Sequence, residues 1–82
     1  MKIKNNVAVS NSGFVFNSNS GESFSANPIG TEIINSLKEN KCFEEIKTMI
    51  ISKYNIDEAT FEKDFYDFLS VLNNYSISDN ND

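Results

Sequence analysis

Apolar and polar residues alternate along the first third of the chain, and near Asn27 the alternation gives way to apolar residues at helical spacing. A period of two is typical of strands with unlike faces, whereas spacings of three and four residues are typical of amphipathic helices. The pattern therefore predicts a β meander followed by helices.

Three short strands are predicted before the change of period. Val7 and Val9 share one face of the first strand, and Phe14 and Phe16 share one face of the second. The Asn-Ser-Gly and Ser-Asn-Ser-Gly segments that follow these two strands have the composition of turns. A third strand is predicted over about residues 22–26.

Three helices are predicted after the change of period. Asn27 followed by proline is typical of a helix N-cap, and the first helix has one apolar stripe made by Ile29, Ile33, Ile34 and Leu37. The second helix should begin near Phe43, with Cys42 as a weak residue at its cap position. Asp57 should cap the third helix, whose strong apolar face extends to about Asn73.

The chain length of 82 residues leaves room for one domain with one small core. The predicted fold is a small α+β domain of the winged-helix kind, with a three-stranded antiparallel sheet followed by three helices over residues 1–77. Residues 78–82 have nothing to bury, so we expect them to form a disordered tail.

Charge and missing residue types narrow the possible functions. The net charge is −5, all seven basic residues are lysine, and the chain has no histidine or tryptophan. Nucleic acid is therefore a poor partner, since phosphate neutralisation supplies most of the affinity of DNA-binding modules and the third helix is acidic. Without histidine, and without a phosphate loop or a metal-ligand motif, we expect no enzyme, cofactor or metal.

The single cysteine and the amino-terminal segment indicate the cellular compartment of the protein. Cys42 has no partner for an internal disulfide, and no apolar stretch resembles a secretion signal or a membrane span. A reducing cytosolic setting is the expectation. A reactive thiolate at a helix start is one interpretation of Cys42, but without a histidine partner a half-buried residue at the cap position is the simpler one.

A peptide groove is the remaining candidate site. The third strand should leave unpaired N–H and C=O groups along its outer edge, with Phe24 pointing away from Ser23 and Ser25. If the third helix packs obliquely behind that strand, an extended peptide can add to the edge as a further strand. An ordinary solvated edge is the alternative, and the residues alone do not choose between the two.

Four segments have the order and spacing of a known family: Phe24-Ser25-Ala26-Asn27, Phe43-Glu44-Glu45-Ile46, Tyr54-Asn55-Ile56-Asp57, and the run from Asp64 to Leu72. With them, the chain from Gly21 to about Ile77 resembles the PqqD family. These small peptide chaperones of pyrroloquinoline quinone biosynthesis belong to the RiPP recognition elements, where RiPPs are ribosomally made and post-translationally modified peptides. Cys42 departs from the family's usual threonine cap.

The resemblance implies a non-catalytic module that binds the leader segment of a precursor peptide and presents it to a modifying enzyme, often a radical S-adenosylmethionine protein. Carried over by position, the peptide-binding residues are the backbone groups of Glu22, Ser23, Phe24 and Ser25 and the helix-side residues Asp64, Phe68 and Val71. A core position for Phe68 and a structural role for Asp64 are the open alternatives. The family name does not imply the quinone, because the fold is reused in many peptide-modifying systems.

Two other functions stay open: an acidic winged-helix module that regulates through protein contacts, and a dimer that satisfies its own edge strand. We expect a monomer or a weak homodimer. The acidity also predicts a partner surface that carries lysine or arginine, and binding that weakens as salt rises.

Overall fold

The computed structural model describes residues 2–75 and 77–79, and in this part of the chain two small antiparallel sheets accompany three helices. The strands are β1 (Lys2–Ile3), β2 (Val7–Val9), β3 (Phe14–Asn17), β4 (Ser23–Ser25) and β5 (Ser78–Asp79). The helices are α1 (Pro28–Lys38), α2 (Phe43–Tyr54) and α3 (Glu58–Asn74). A three-stranded sheet followed by three helices confirms the predicted α+β class. None of the described helices is long and apolar enough to cross a bilayer.

β3 is the central strand of the three-stranded sheet, with β2 and β4 on either side. Val15 lies opposite Val9 on β2 and opposite Phe24 on β4. The turn before β3 needs a glycine, because Gly13 has a φ of 91° and an added Cβ would lie 2.5 Å from the carbonyl oxygen of Ala26. This close approach brings the start of α1 against the sheet.

The two faces of β3 have different roles. Val15 and Asn17 are buried on the inner face, whereas Phe14 and Phe16 lie on the outer face with 48% and 37% of their surface exposed. The shared face of Phe14 and Phe16 was predicted, and the register shows that it faces solvent. The smaller Val15 is the apolar β3 residue that packs toward the helices.

The core lies between the inner face of the sheet and the three helices. Its buried apolar residues on the helices are Ile33, Ile34, Leu37, Ile46, Ile50, Phe61, Phe65 and Leu72. The predicted stripe of α1 is thus confirmed except at Ile29, which is only half-buried. Ile29 instead lines a cavity between α1 and α3.

The predicted helix caps are present. The side-chain oxygen Oδ1 of Asn27 accepts from the Gly30 N–H at 2.7 Å, and Oδ2 of Asp57 accepts from the Thr60 N–H at 3.0 Å. These bonds satisfy backbone donors that have no partner within the helix. Cys42, at the start of α2, is exposed rather than half-buried.

A second sheet, which the sequence pattern did not predict, joins the two ends of the described chain. Lys2 lies opposite Asp79 and Ile3 opposite Ser78. The expected disordered tail differs from this structure at Ser78 and Asp79, because backbone pairing with β1 and the buried Ile77 beside it hold the segment. Residues 80–82 of that expected tail lie outside the described residues.

Candidate peptide-binding groove

The backbone of β4 bonds to β3 through alternate residues. The N–H of Asn17 donates to the Glu22 carbonyl at 2.9 Å, and the N–H of Ala26 donates to the Gly13 carbonyl at 2.7 Å. In an antiparallel pair the bonding direction alternates from one residue to the next. Phe24, midway between Glu22 and Ala26 and opposite Val15, therefore also directs its backbone groups to β3.

Ser23 and Ser25 have the opposite direction, so their N–H and C=O groups face the free edge of the sheet. The four strand residues expected to pair with a peptide thus fall into two classes. Ser23 and Ser25 can offer backbone groups to an added strand, whereas Phe24 directs its backbone groups to β3. Glu22 directs only its carbonyl to β3, because its N–H donates to Oγ of Ser20 at 3.2 Å. This distinction needs the strand register, which the sequence does not show.

The other edge of the sheet, at β2, is partly covered by the chain itself. The Val7 N–H donates to the Lys4 carbonyl at 3.2 Å, and the Val7 carbonyl accepts from Nζ of Lys38 at 3.1 Å. A strand that approached β2 would have to displace both contacts. β4 is therefore the better candidate edge for strand addition.

The side chain of Phe24 connects this edge to α3. Its ring lies edge-on to Phe68 with centroids 6.4 Å apart, and it packs against Tyr75 with centroids 4.7 Å apart. Phe68 is half-buried and packs against the core. Phe24 and Phe68 together place the helix-side residues next to the strand edge, as the groove requires.

Asn17 fastens the end of α3 to the sheet, and sequence reasoning missed it. Its Nδ2 donates to the Tyr75 carbonyl at 3.1 Å, and its Oδ1 accepts from Nδ2 of Asn6 at 2.6 Å and from the N–H of Asn19 at 3.0 Å. The alternation of strand faces was the available signal: Asn17 is two residues after Val15 and therefore lies on the same buried face of β3.

A cavity of about 240 Å³ lies between the start of α1 and α3. We call it the α1–α3 cavity; its lining residues are Asn27, Ile29, Gly30, Ile33, Asp64, Asp67, Phe68 and Val71. All three helix-side residues carried over from the resemblance, Asp64, Phe68 and Val71, are among them. The strand edge and this cavity meet at the Phe24–Phe68 contact, and together they form the candidate groove.

Gly30 lets the two helices approach at the cavity. A Cβ at this position would lie 2.9 Å from Cε1 of Phe68 and 3.2 Å from Oδ1 of Asn27. Sequence reasoning did not single out Gly30. A glycine inside the first turn lowers the stability of a helix, so its presence indicates a close packing contact.

The two carboxylates of the α1–α3 cavity differ in their partners. Oδ2 of Asp67 accepts from Nζ of Lys63 at 3.2 Å, in a pair that is exposed on both sides. The side chain of Asp64 has no hydrogen bond or ion pair with any residue that the structure describes. A structural cap or ion pair for Asp64, one of the open alternatives, is therefore not present among the described residues.

A second cavity lies on another face of α1. Beside it, side-chain contacts link α1 to α2 and brace the two helices. Glu32, which lines this cavity, accepts from the hydroxyl of Tyr54 and forms an ion pair of 3.0 Å with Lys53. Burial raises the pKa of Glu32, but the bonds from Tyr54 and Lys53 outweigh it and leave the pKa below its usual value. Among residues 2–75 and 77–79, no group of acidic or thiol side chains could hold a metal ion.

The comparisons with known proteins match this architecture. A family model described as coenzyme PQQ synthesis protein D (PqqD) matches residues 13–77. A solved structure described as TbiB1 in complex with the TbiA(beta) leader peptide has a TM-score of 0.85 and 30% identity, and the match covers 100% of this chain and 99% of that one. The search of curated proteins gives no match.

Proposed function

The chain belongs to the PqqD family, and from this premise we propose that it binds the leader segment of a ribosomally made precursor peptide as a strand added to β4. One observation carries the proposal: the free edge of β4 and the α1–α3 cavity adjoin in a fold that matches, over its whole length, a protein solved with a leader peptide. Strand addition with side-chain pockets is an established mode of peptide recognition.

In the proposed complex the backbone groups of Ser23 and Ser25 bond to the peptide. Successive side chains of an added strand point to opposite faces of the sheet. Every second peptide side chain then meets Phe68 and Val71 on α3, while the others lie on the outer face beside the serines. Backbone pairing supplies affinity, and the contacts with α3 supply specificity.

The proposal extends to the role of the bound peptide. The chain presents the leader to a separate modifying enzyme, of which a radical S-adenosylmethionine protein is the first candidate, and does not itself catalyse the modification. Family membership supports this role, and so does a sequence with no histidine and a single cysteine. We place the complex in the cytosol, where a lone cysteine stays reduced.

NMR titration tests the proposal directly. The probe is a synthetic peptide with the leader sequence of a candidate precursor, chosen from the small open reading frames next to this chain's gene. We expect amide resonances of residues 22–25 and of α3 to shift, because these segments border the added strand. Shifts confined to the exposed surface of α1 would contradict the groove assignment.

A pair of substitutions at Ser25 separates backbone pairing from side-chain effects. Ser25→Pro removes an outward N–H while the β3–β4 bonds persist, and proline is tolerated on edge strands. A lost hydrogen bond together with the bulk of the ring should weaken peptide binding by about tenfold or more, measured by fluorescence anisotropy. Ser25→Ala keeps the N–H and should bind as the unmodified protein does.

The same pair distinguishes peptide binding from self-pairing. If two copies pair through β4, light scattering will show a dimer that Ser25→Pro converts to monomer, and the peptide will bind weakly to the unmodified chain. Equal peptide affinity of the proline and alanine variants, with amide spectra showing both folded, would refute strand addition at β4.

A further inference from the structure

The α1–α3 cavity has apolar walls and an acidic rim. Ile29, Ile33, Phe68 and Val71 supply the walls, and the carboxylates of Asp64 and Asp67 supply the rim. No lysine lines the cavity. An apolar peptide side chain that fills the cavity must therefore bring its neighbours close to negative charge.

The protein neutralises the charge at the rim only in part. The carboxylate of Asp64 has no ionic or hydrogen-bonding partner among the described residues. Asp67 has only the exposed pair with Lys63, an interaction of the kind that contributes little and can exchange partners. Both carboxylates are thus available to a ligand.

Peptide binding would change the surroundings of these carboxylates. An added strand and a filled cavity remove water from the rim, and a carboxylate that loses water without gaining a cation is destabilised. A lysine or arginine of the peptide would offset that cost and would also steer the encounter, whereas an acidic residue there would be repelled.

We propose that Asp64, assisted by Asp67, selects leader peptides that carry a lysine or arginine beside the apolar side chain that fills the α1–α3 cavity. The inference rests on the proposed function, since it concerns the specificity of the same groove. Its grounds are the geometry of the cavity and the lack of a protein partner for Asp64.

The test is a double-mutant cycle with the same leader peptide as the probe. One set of peptides replaces each lysine or arginine in turn with glutamine, and Asp64→Asn removes the rim charge at nearly constant size. We expect Asp64→Asn to weaken binding of the natural peptide by about threefold to tenfold, the usual range for a partly exposed charged hydrogen bond. At one peptide position the glutamine change should have no further effect in the Asp64→Asn protein.

Glu62→Gln is the matched control. It lies on α3, changes the net charge by the same amount and does not line the cavity. Affinity of the unmodified protein should fall between about 50 and 300 mM NaCl, and Asp64→Asn should flatten this dependence more than Glu62→Gln does.

The outcomes distinguish this inference from the proposed function. If Asp64→Asn and Glu62→Gln bind alike, with equal salt dependence, and the peptide still shifts the amides of β4, then charge selection is refuted and strand addition stands. A peptide that never shifts the β4 amides refutes both. Coupling of Asp64 to one basic peptide residue, with β4 shifts retained, supports both.

Discussion

At the scale of single residues, Asn17 shows how a buried polar side chain orders the groove. Only 2% of its surface is exposed, and its amide bridges the turn after β3 and the Tyr75 carbonyl at the end of α3. Tyr75 in turn packs against Phe24 of β4. One side-chain amide therefore contributes, with the Phe24 contacts, to the position of α3 relative to the strand edge.

Replacing Asn17 by alanine should lower the free energy of unfolding by about 1–3 kcal/mol, because buried donors and acceptors lose their partner. Urea denaturation measures the change. Asn19→Ala is the control, since Asn19 is exposed and contributes its backbone N–H rather than its side chain. A loss for Asn17→Ala no larger than for Asn19→Ala would show that the bridge does not stabilise the fold.

At the scale of elements, the start of α2 is the least well capped of the three helices. Asn27 and Asp57 offer side-chain oxygens to α1 and α3, whereas Cys42 offers a thiol, which is a weak acceptor. Glu45 compensates in part, because its Oε1 accepts from the Cys42 N–H at 3.0 Å. A hydroxyl at position 42 would give the backbone N–H of Glu45 a stronger acceptor than the thiol.

Cys42→Thr should therefore stabilise the protein by up to about 1 kcal/mol, with the hydroxyl oxygen accepting from the backbone N–H of the first turn. In a domain of this size that corresponds to a rise in Tm of about 4–8 °C, measured by thermal unfolding under reducing conditions. Cys42→Ala removes the thiol without adding an oxygen and should give no rise. Peptide affinity should not change, because α2 does not line the groove.

At the scale of the whole molecule, three carboxylates make stability depend on pH. Bonds from Tyr54 and Lys53 hold the pKa of Glu32 below its usual value despite its burial, and the Cys42 N–H lowers the pKa of Glu45. The hydroxyl and N–H of Thr60 lower the pKa of Asp57. Each group contributes stability above its unfolded-state pKa, and that contribution is lost as pH falls through the lowered folded-state value.

The free energy of unfolding should consequently be nearly constant from neutral pH down to about 5 and should decrease below about pH 4, near the unfolded-state values of these groups. Denaturant titrations at a series of pH values measure it. Glu32→Gln retains much of the brace between α1 and α2 but cannot titrate, so the acid-induced loss should become smaller. An unchanged pH profile in this variant would contradict the role assigned to Glu32.

The sequence predicted the parts of the molecule whose signal is local. Alternation over β2 to β4, the apolar stripe of α1 and the caps Asn27 and Asp57 depend on near neighbours in the chain. The β1–β5 pairing was missed because it joins two-residue strands from opposite ends of the sequence. The helix-side residues of the groove, Asp64, Phe68 and Val71, were predicted from the family resemblance. The strand parity of Asn17 and the place of Gly30 in the first helical turn were local signals, but the partners of both residues appear only when β3, α1 and α3 are packed together.

The pairing of β1 with β5 has a consequence for protein architecture. Lys2 and Asp79 lie directly opposite each other in this pair, so the two ends of the described fold are adjacent. Domains of this form can be carried as insertions in larger proteins or joined head to tail. Because β1 and β5 form a sheet separate from β2 to β4, attachments made there leave the β4 edge unpaired. Such a domain can be fused to an enzyme as a separate peptide-binding unit.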